Sequence, residues 1–138
     1  VKLLKQNEFN VVFTHVEFGC DFFNTDVPVG HIDYIISNPP YSMKTEVFKR
    51  LFELGIPFGM LVGVVGLFES QDRFKMFRDN KFEVMYFNKR ISYFRDYSSQ
   101  IPDLNPPFSS VYITMNILPE RIVFETIEKK ELKQISLL

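Results

Sequence analysis

A chain of 138 residues with 46% hydrophobic content is long enough for one packed domain and too apolar for a disordered one. Its formal charge of −1 excludes a protein that holds nucleic acid by bulk electrostatics alone, though not a site that accepts one base. A lone cysteine, Cys20, and two separated histidines, His15 and His31, offer neither an internal disulfide nor a metal-ligand pattern, so no metal and a reducing, cytoplasmic setting are expected.

In chain order, "VKLLKQNEF" reads as the end of a helix with Val1, Leu3 and Leu4 on its apolar side. "NVVFTHVE", ending at Glu17, follows as a β-branched strand, and "FGCDFFNTDVPVG" as a loop. "IDYIIS" is a short strand of the near-continuous apolar kind found in sheets covered on both faces. Beyond "NPPY", Ser42 is placed to cap a helix running to about Leu54, with Val47, Phe48, Leu51 and Phe52 on one face. Gly55 and Pro57 stop it. "FGMLVGVV" is the next strand. Ser70 then caps a helix to about Asn80 with Phe74 and Phe77 inward, and "FEVMYF" is a further strand.

"NKRISYFRDYSSQIPDLNPPF" is a long irregular connection. Lys89, Arg90 and Arg95 interleave there with Phe87, Tyr93, Phe94 and Tyr97, either to track a phosphate backbone or as a solvated stretch over core aromatics. "SSVYITMNIL" predicts a strand whose better-buried face carries Val111, Ile113, Met115 and Ile117, and "RIVFETI" an edge strand. Most of the 16 phenylalanines are expected in the core. The longest apolar run, Gly59–Phe68, is too short to span a bilayer, no signal peptide is visible, and no membrane partner is expected. The opening without methionine suggests a piece of a longer product. Residues 1–126 are read as one domain truncated at its N-terminus, and 127–138 as a charged tail. The element order predicts an α/β sheet, mostly parallel with an antiparallel end.

The stretch least explained by folding alone is Asn38-Pro39-Pro40-Tyr41, at the carboxyl end of "DYIIS", where open α/β sheets bind their ligands. Two prolines remove two backbone donors and fix two φ angles at about −65°. The Asn38 side-chain oxygen and the Pro39 carbonyl are then neighbouring acceptors that suit an –NH₂ group, and Tyr41 adds a flat face. Such a corner fits a planar, amino-bearing ring whose nitrogen attacks an electrophilic methyl group directly, with catalysis by alignment and electrostatics.

"SNPPY" behind an apolar strand beginning "IDYII" resembles the catalytic motif of S-adenosylmethionine-dependent amino-methyltransferases, among them adenine-N6 DNA methyltransferases. The wider run from "THVEFGCDFF" to "GIPFGMLVG" resembles phage and prophage adenine methyltransferase-like proteins, and the likeness covers roughly Asn10 to Leu118. It implies a Rossmann-like class I methyltransferase sheet, with the first strand and cofactor loop lying upstream of Val1. It also implies S-adenosyl-L-methionine as cofactor and DNA, or else RNA, as partner. Asn38 and Pro39 would hold the target amine, Pro40 would complete the catalytic motif, and Tyr41 would stack on a base flipped from the duplex. Asp21 and Phe22 match residues beside the cofactor's adenine, and Glu17 the acid that binds its ribose. Each acid also has a plain reading, Asp21 as a turn residue and Glu17 as structural.

"NPPF" at Asn105–Phe108 repeats the letters without the strand and helix, and reads as a loop. A guanine amine of RNA or a protein glutamine amide would present the same –NH₂ as adenine. A non-catalytic, phage-derived nucleic-acid-binding remnant is the reading from a different class.

Overall fold

A β-branched run becomes a strand only where a second strand pairs with it. The computed structural model describes residues 2–14, 19, 21–93 and 108–128, which fall into two units, Val1–Ile32 and Asp33–Leu138. In the first, helix α1 (Lys2–Gln6) ends where the Phe9 N–H donates to the Leu4 carbonyl at 3.2 Å. The strand expected next does not form over its described part. Asn10–Thr14 has no regular structure and no ladder partner, and Val12 is 74% exposed. The remainder of that stretch, Glu17 included, lies outside the described residues. The loop predicted after it is present, folded as a turn over Phe22–Thr25.

The second unit is an α/β fold on a five-stranded mixed sheet: β1 (Ile35–Ser37), β2 (Phe58–Gly63), β3 (Glu83–Phe87), β4 (Ser110–Met115) and β5 (Ile122–Glu125), in spatial order β1-β2-β4-β3-β5. β1 pairs parallel with β2, and β3 parallel with β5, while β4 runs antiparallel to both β2 and β3. Four strands therefore point one way. The antiparallel strand expected at the end of the sheet sits inside it, wedged between β2 and β3.

Helix α2 (Lys44–Leu54) connects β1 to β2, and α3 (Gln71–Asp79) connects β2 to β3. Gly55 closes α2 with φ +65°, a conformation that glycine adopts without steric cost, and its N–H returns to the Leu51 carbonyl. Val47, Phe48 and Leu51 of α2 are buried, as their spacing predicts. The helix starts differently from expectation. Its N-cap is Met43 without a side-chain cap bond, because Ser42 is taken into the 3-10 turn Tyr41–Met43 that precedes the helix. At α3 the cap is as predicted, with Ser70 Oγ accepting from the Arg73 N–H at 3.3 Å.

Phe48 packs on Phe58 and Phe77 with centroids 6.1 and 4.9 Å away, and Phe77 touches Phe68 and Phe82 at 5.1 and 5.0 Å. Both helices thus cover the sheet face that carries Phe58 and, by the two-residue period, Met60 and Val62. Phe77 is 3% exposed, but Phe74 is 58% exposed and not inward. At about 100° per residue, the packed stripe of α3 runs through Arg73 and Phe77 and leaves Phe74 on its shoulder. Met115 is half-buried and Ile117 leaves the face expected for it: the chain turns at Asn116 (φ +55°), and the Ile117 side chain reaches the Gly59 side of the sheet.

β1 is an edge strand, and its Ile36 is exposed. Cover on both faces, expected from its apolar run, is not what the described residues provide. The predicted edge strand "RIVFETI" is β5. Most of the tail, 129–138, lies outside the described residues.

Candidate active site

Asn38–Tyr41 carries the chain from the carboxyl end of β1 into the turn that starts α2. Pro39 is buried, while Asn38 and Pro40 are exposed. The Pro40 carbonyl accepts from the Met43 N–H at 3.1 Å. Among the described residues, nothing hydrogen-bonds the Asn38 side chain or the Pro39 carbonyl. The corner thus leaves two neighbouring acceptors for an outside donor, on a backbone that prolines hold stiff.

Tyr41 is anchored at one end and open at the other. Its ring meets Phe108 edge-to-face at 5.2 Å, and its hydroxyl lies near Tyr93 and Ser110, whose own oxygens hydrogen-bond to each other at 2.7 Å. Burial first, then the neighbouring Tyr93, push the Tyr41 hydroxyl well above the ordinary tyrosine range, with Ser110 pulling the other way. It stays neutral. The residue remains 38% exposed, which leaves surface for stacking. Phe108 in turn rests on Gly63, where a Cβ would come within 3.3 Å of its ring.

Beneath the ring lies Lys44, a buried cation 5.2 Å from the Tyr41 centroid. Its Nζ donates to the Val65 and Gly63 carbonyls at 3.3 and 3.5 Å, so it ties the corner to the loop that follows β2. Burial and then the neighbouring Arg73 lower its pKa from the ordinary lysine value, while Glu69 acts in the opposite direction. Arg73 fixes the same loop, donating to the Gly66 and Leu67 carbonyls at 2.7 and 2.9 Å and to Thr45 Oγ1 at 2.7 Å.

Sequence reasoning singled out the four corner residues and not the side chains that pack around them. Lys44 had a legible signal, since it lies three residues after Tyr41, within a helical turn. Phe108 had none, because it arrives from a distant loop. It belongs to the second Asn-Pro-Pro-Phe, whose first three residues lie outside the described ones. Of the basic–aromatic stretch, Tyr93 is spent on Ser110 and Phe108, and Phe87 packs on Tyr112 at 5.9 Å. Phe94, Arg95 and Tyr97 lie outside the described residues.

In the Val1–Ile32 unit, Asp21 organises a turn. Its Oδ1 accepts from the Phe23 N–H at 3.1 Å and its Oδ2 from Asn24 Nδ2 at 2.7 Å, while its carbonyl accepts from Thr25 Oγ1 at 2.6 Å. Phe22 meets Phe23 edge-to-face at 5.5 Å. Among the described residues no three acidic, histidine or cysteine side chains converge on a metal position, and no helix is long and apolar enough to cross a membrane.

Comparison of the chain with protein-family models, with curated proteins and with solved structures finds no match.

Proposed function

We propose that this chain is the amine-binding part of an S-adenosylmethionine-dependent methyltransferase with a Rossmann-like sheet, acting on the exocyclic amine of adenine in DNA. One observation carries the reading: at the carboxyl end of a strand, beside a partly exposed Tyr41, the exposed Asn38 side chain and the Pro39 carbonyl have no hydrogen-bond partner among the described residues. Tyr41 supplies a stacking face, worth about 1–3 kcal/mol per base and comparable with the few kcal/mol that flipping costs.

Asn38 Oδ1 and the Pro39 carbonyl accept the two N–H hydrogens of the amine. That orients its lone pair away from the corner and enriches the nitrogen in electron density. With the cofactor bound, the amine held by Asn38 and Pro39 would take its methyl group, the sulfur would leave as a thioether with the electron pair of the broken S–CH₃ bond, and the amine would lose one proton to water. Nothing in this step needs a charged base, consistent with a Tyr41 hydroxyl held neutral. S-adenosylmethionine supplies the electrophilic methyl group when bound. Within its own unit the Asp21 carboxylate is fixed by its turn, and each oxygen, accepting one hydrogen bond there, keeps acceptor capacity for an amine or a hydroxyl.

The test is transfer of labelled methyl from S-adenosylmethionine to unmodified DNA by the gene product that carries this chain, followed by nucleoside analysis. Label in methyladenine is expected, and Asn38→Ala should lower the rate by about 10²–10³-fold with an unchanged fold. Full activity in that variant would remove the central claim. Label found only in RNA or in protein glutamine would keep the corner's chemistry and replace its substrate.

A further inference from the structure

The sheet ends at β5, and this edge is unusually apolar. Phe124 is 80% exposed and stacks on Tyr86 at 5.9 Å and 25°, with Ile122 exposed beside it. Among the described residues no strand pairs with β5 on the side away from β3. An unpaired edge of this kind is a template for another strand.

The hydrogen-bond pattern says which strand fits. The Val84 N–H donates to the Arg121 carbonyl at 2.9 Å, and the Asn88 N–H to the Glu125 carbonyl at 3.2 Å. Arg121, Val123 and Glu125 therefore spend their main-chain groups on β3, while Ile122 and Phe124 aim theirs outward. In an antiparallel ladder, outward residues must face outward residues. A two-fold axis through Val123 meets that condition. It sets Ile122 against Phe124 of a second copy, twice, and leaves Val123 against Val123 as the non-hydrogen-bonded pair between them.

The same register sets Arg121 against Glu125 of the second copy, again twice. Cation opposes anion and apolar opposes apolar at every position. The other edge lacks this match, because a two-fold through Ile35 in β1 would set Asp33 against Ser37. We propose that β5 is the pairing edge of a two-fold dimer of this chain, held by antiparallel strand addition centred on Val123. Its strands reverse across the axis, so the two Asn38 corners open at opposite ends of one continuous sheet and neither is blocked.

Sedimentation velocity of the gene product across a concentration series reads the association. A reversible dimer is expected. Arg121→Glu and Glu125→Arg should each weaken it about tenfold, since each turns two attractive pairs into repulsive ones, and the double exchange should restore it. Glu125→Arg and Val123→Cys leave Arg121 itself unchanged, which matters because Arg121 also lies over Phe82 at 5.8 Å and so has a packing role of its own. In a Cys20→Ser background, Val123→Cys should form an intermolecular disulfide under mild oxidation, because such pairs bring Cα atoms to about 4.5 Å. A monomer at every concentration, as a strand of the same chain covering β5 would produce, overturns the proposal. So does a dimer that neither single exchange weakens and that the Val123→Cys variant does not cross-link.

Discussion

The two faces of the sheet are built on opposite principles. On the helix side, Phe48, Phe58, Phe77 and Phe82 interlock at centroid distances of 4.9 to 6.1 Å, and no side-chain hydrogen bond is needed to hold them. On the side of Gly63 and Ser110, the Tyr93 hydroxyl bonds to Ser110, a buried lysine ties the start of α2 to the loop after β2, and a glycine makes room for Phe108. The first arrangement is non-directional and tolerates many sequences of similar volume. The second is directional. It holds one ring, Tyr41, in one place.

Breaking the first side should have the largest effect on stability. Phe48→Ala removes a fully buried ring and should cost about 3–5 kcal/mol. Phe74→Ser, on the same face of the domain but exposed, should stay within about 0.5 kcal/mol. Denaturant midpoints of the two variants measure the contrast. A loss from Phe74→Ser as large as that from Phe48→Ala would mean that α3 packs differently.

On the second side, Lys44→Met keeps the apolar stem and removes the cation. Relief of the buried charge offsets part of the lost hydrogen bonding, so the net loss should be about 1 kcal/mol or less. Its functional effect should be larger than its structural one. With Tyr41 less firmly held, KM for the amine substrate should rise more than kcat falls, and steady-state kinetics separate the two.

The smallest effect sharpens the account of Tyr41. Its folded pKa is raised while the unfolded chain ionises near pH 10, so its contribution is full below about pH 10 and declines as pH rises beyond it. Tyr112, raised first by burial, acts in the same direction. Lys44, with a lowered folded pKa, acts in the opposite direction: its burial cost is present at lower pH and eases as pH climbs toward the unfolded lysine value. Tyr41→Phe should make the alkaline loss of stability shallower, and urea midpoints on both sides of pH 10 would show it. An unchanged slope would put the hydroxyl in water rather than against Tyr93.

Much of the second unit was legible because its signals are local. Glycine at 55, serine at 70 and the apolar run of Phe58–Gly63 act within a turn or a strand, so the residues alone place the end of α2, the start of α3 and β2. Where expectation failed, the missing information was a partner. Asn10–Thr14 has strand chemistry without a ladder to join, Ser42 is displaced by the turn that two prolines begin, and Phe74 is set outward by how α3 lies on its neighbours.

The corner divides along the same line. Asn38, Pro39, Pro40 and Tyr41 are contiguous, so their donors, acceptors and stiffness follow from covalent structure alone. Which atoms hold Tyr41 was decided only by tertiary structure. Phe108, Ser110 and Tyr93 reach it from β4 and the connection before it, and that approach exists only because β4 inserts antiparallel beside β2.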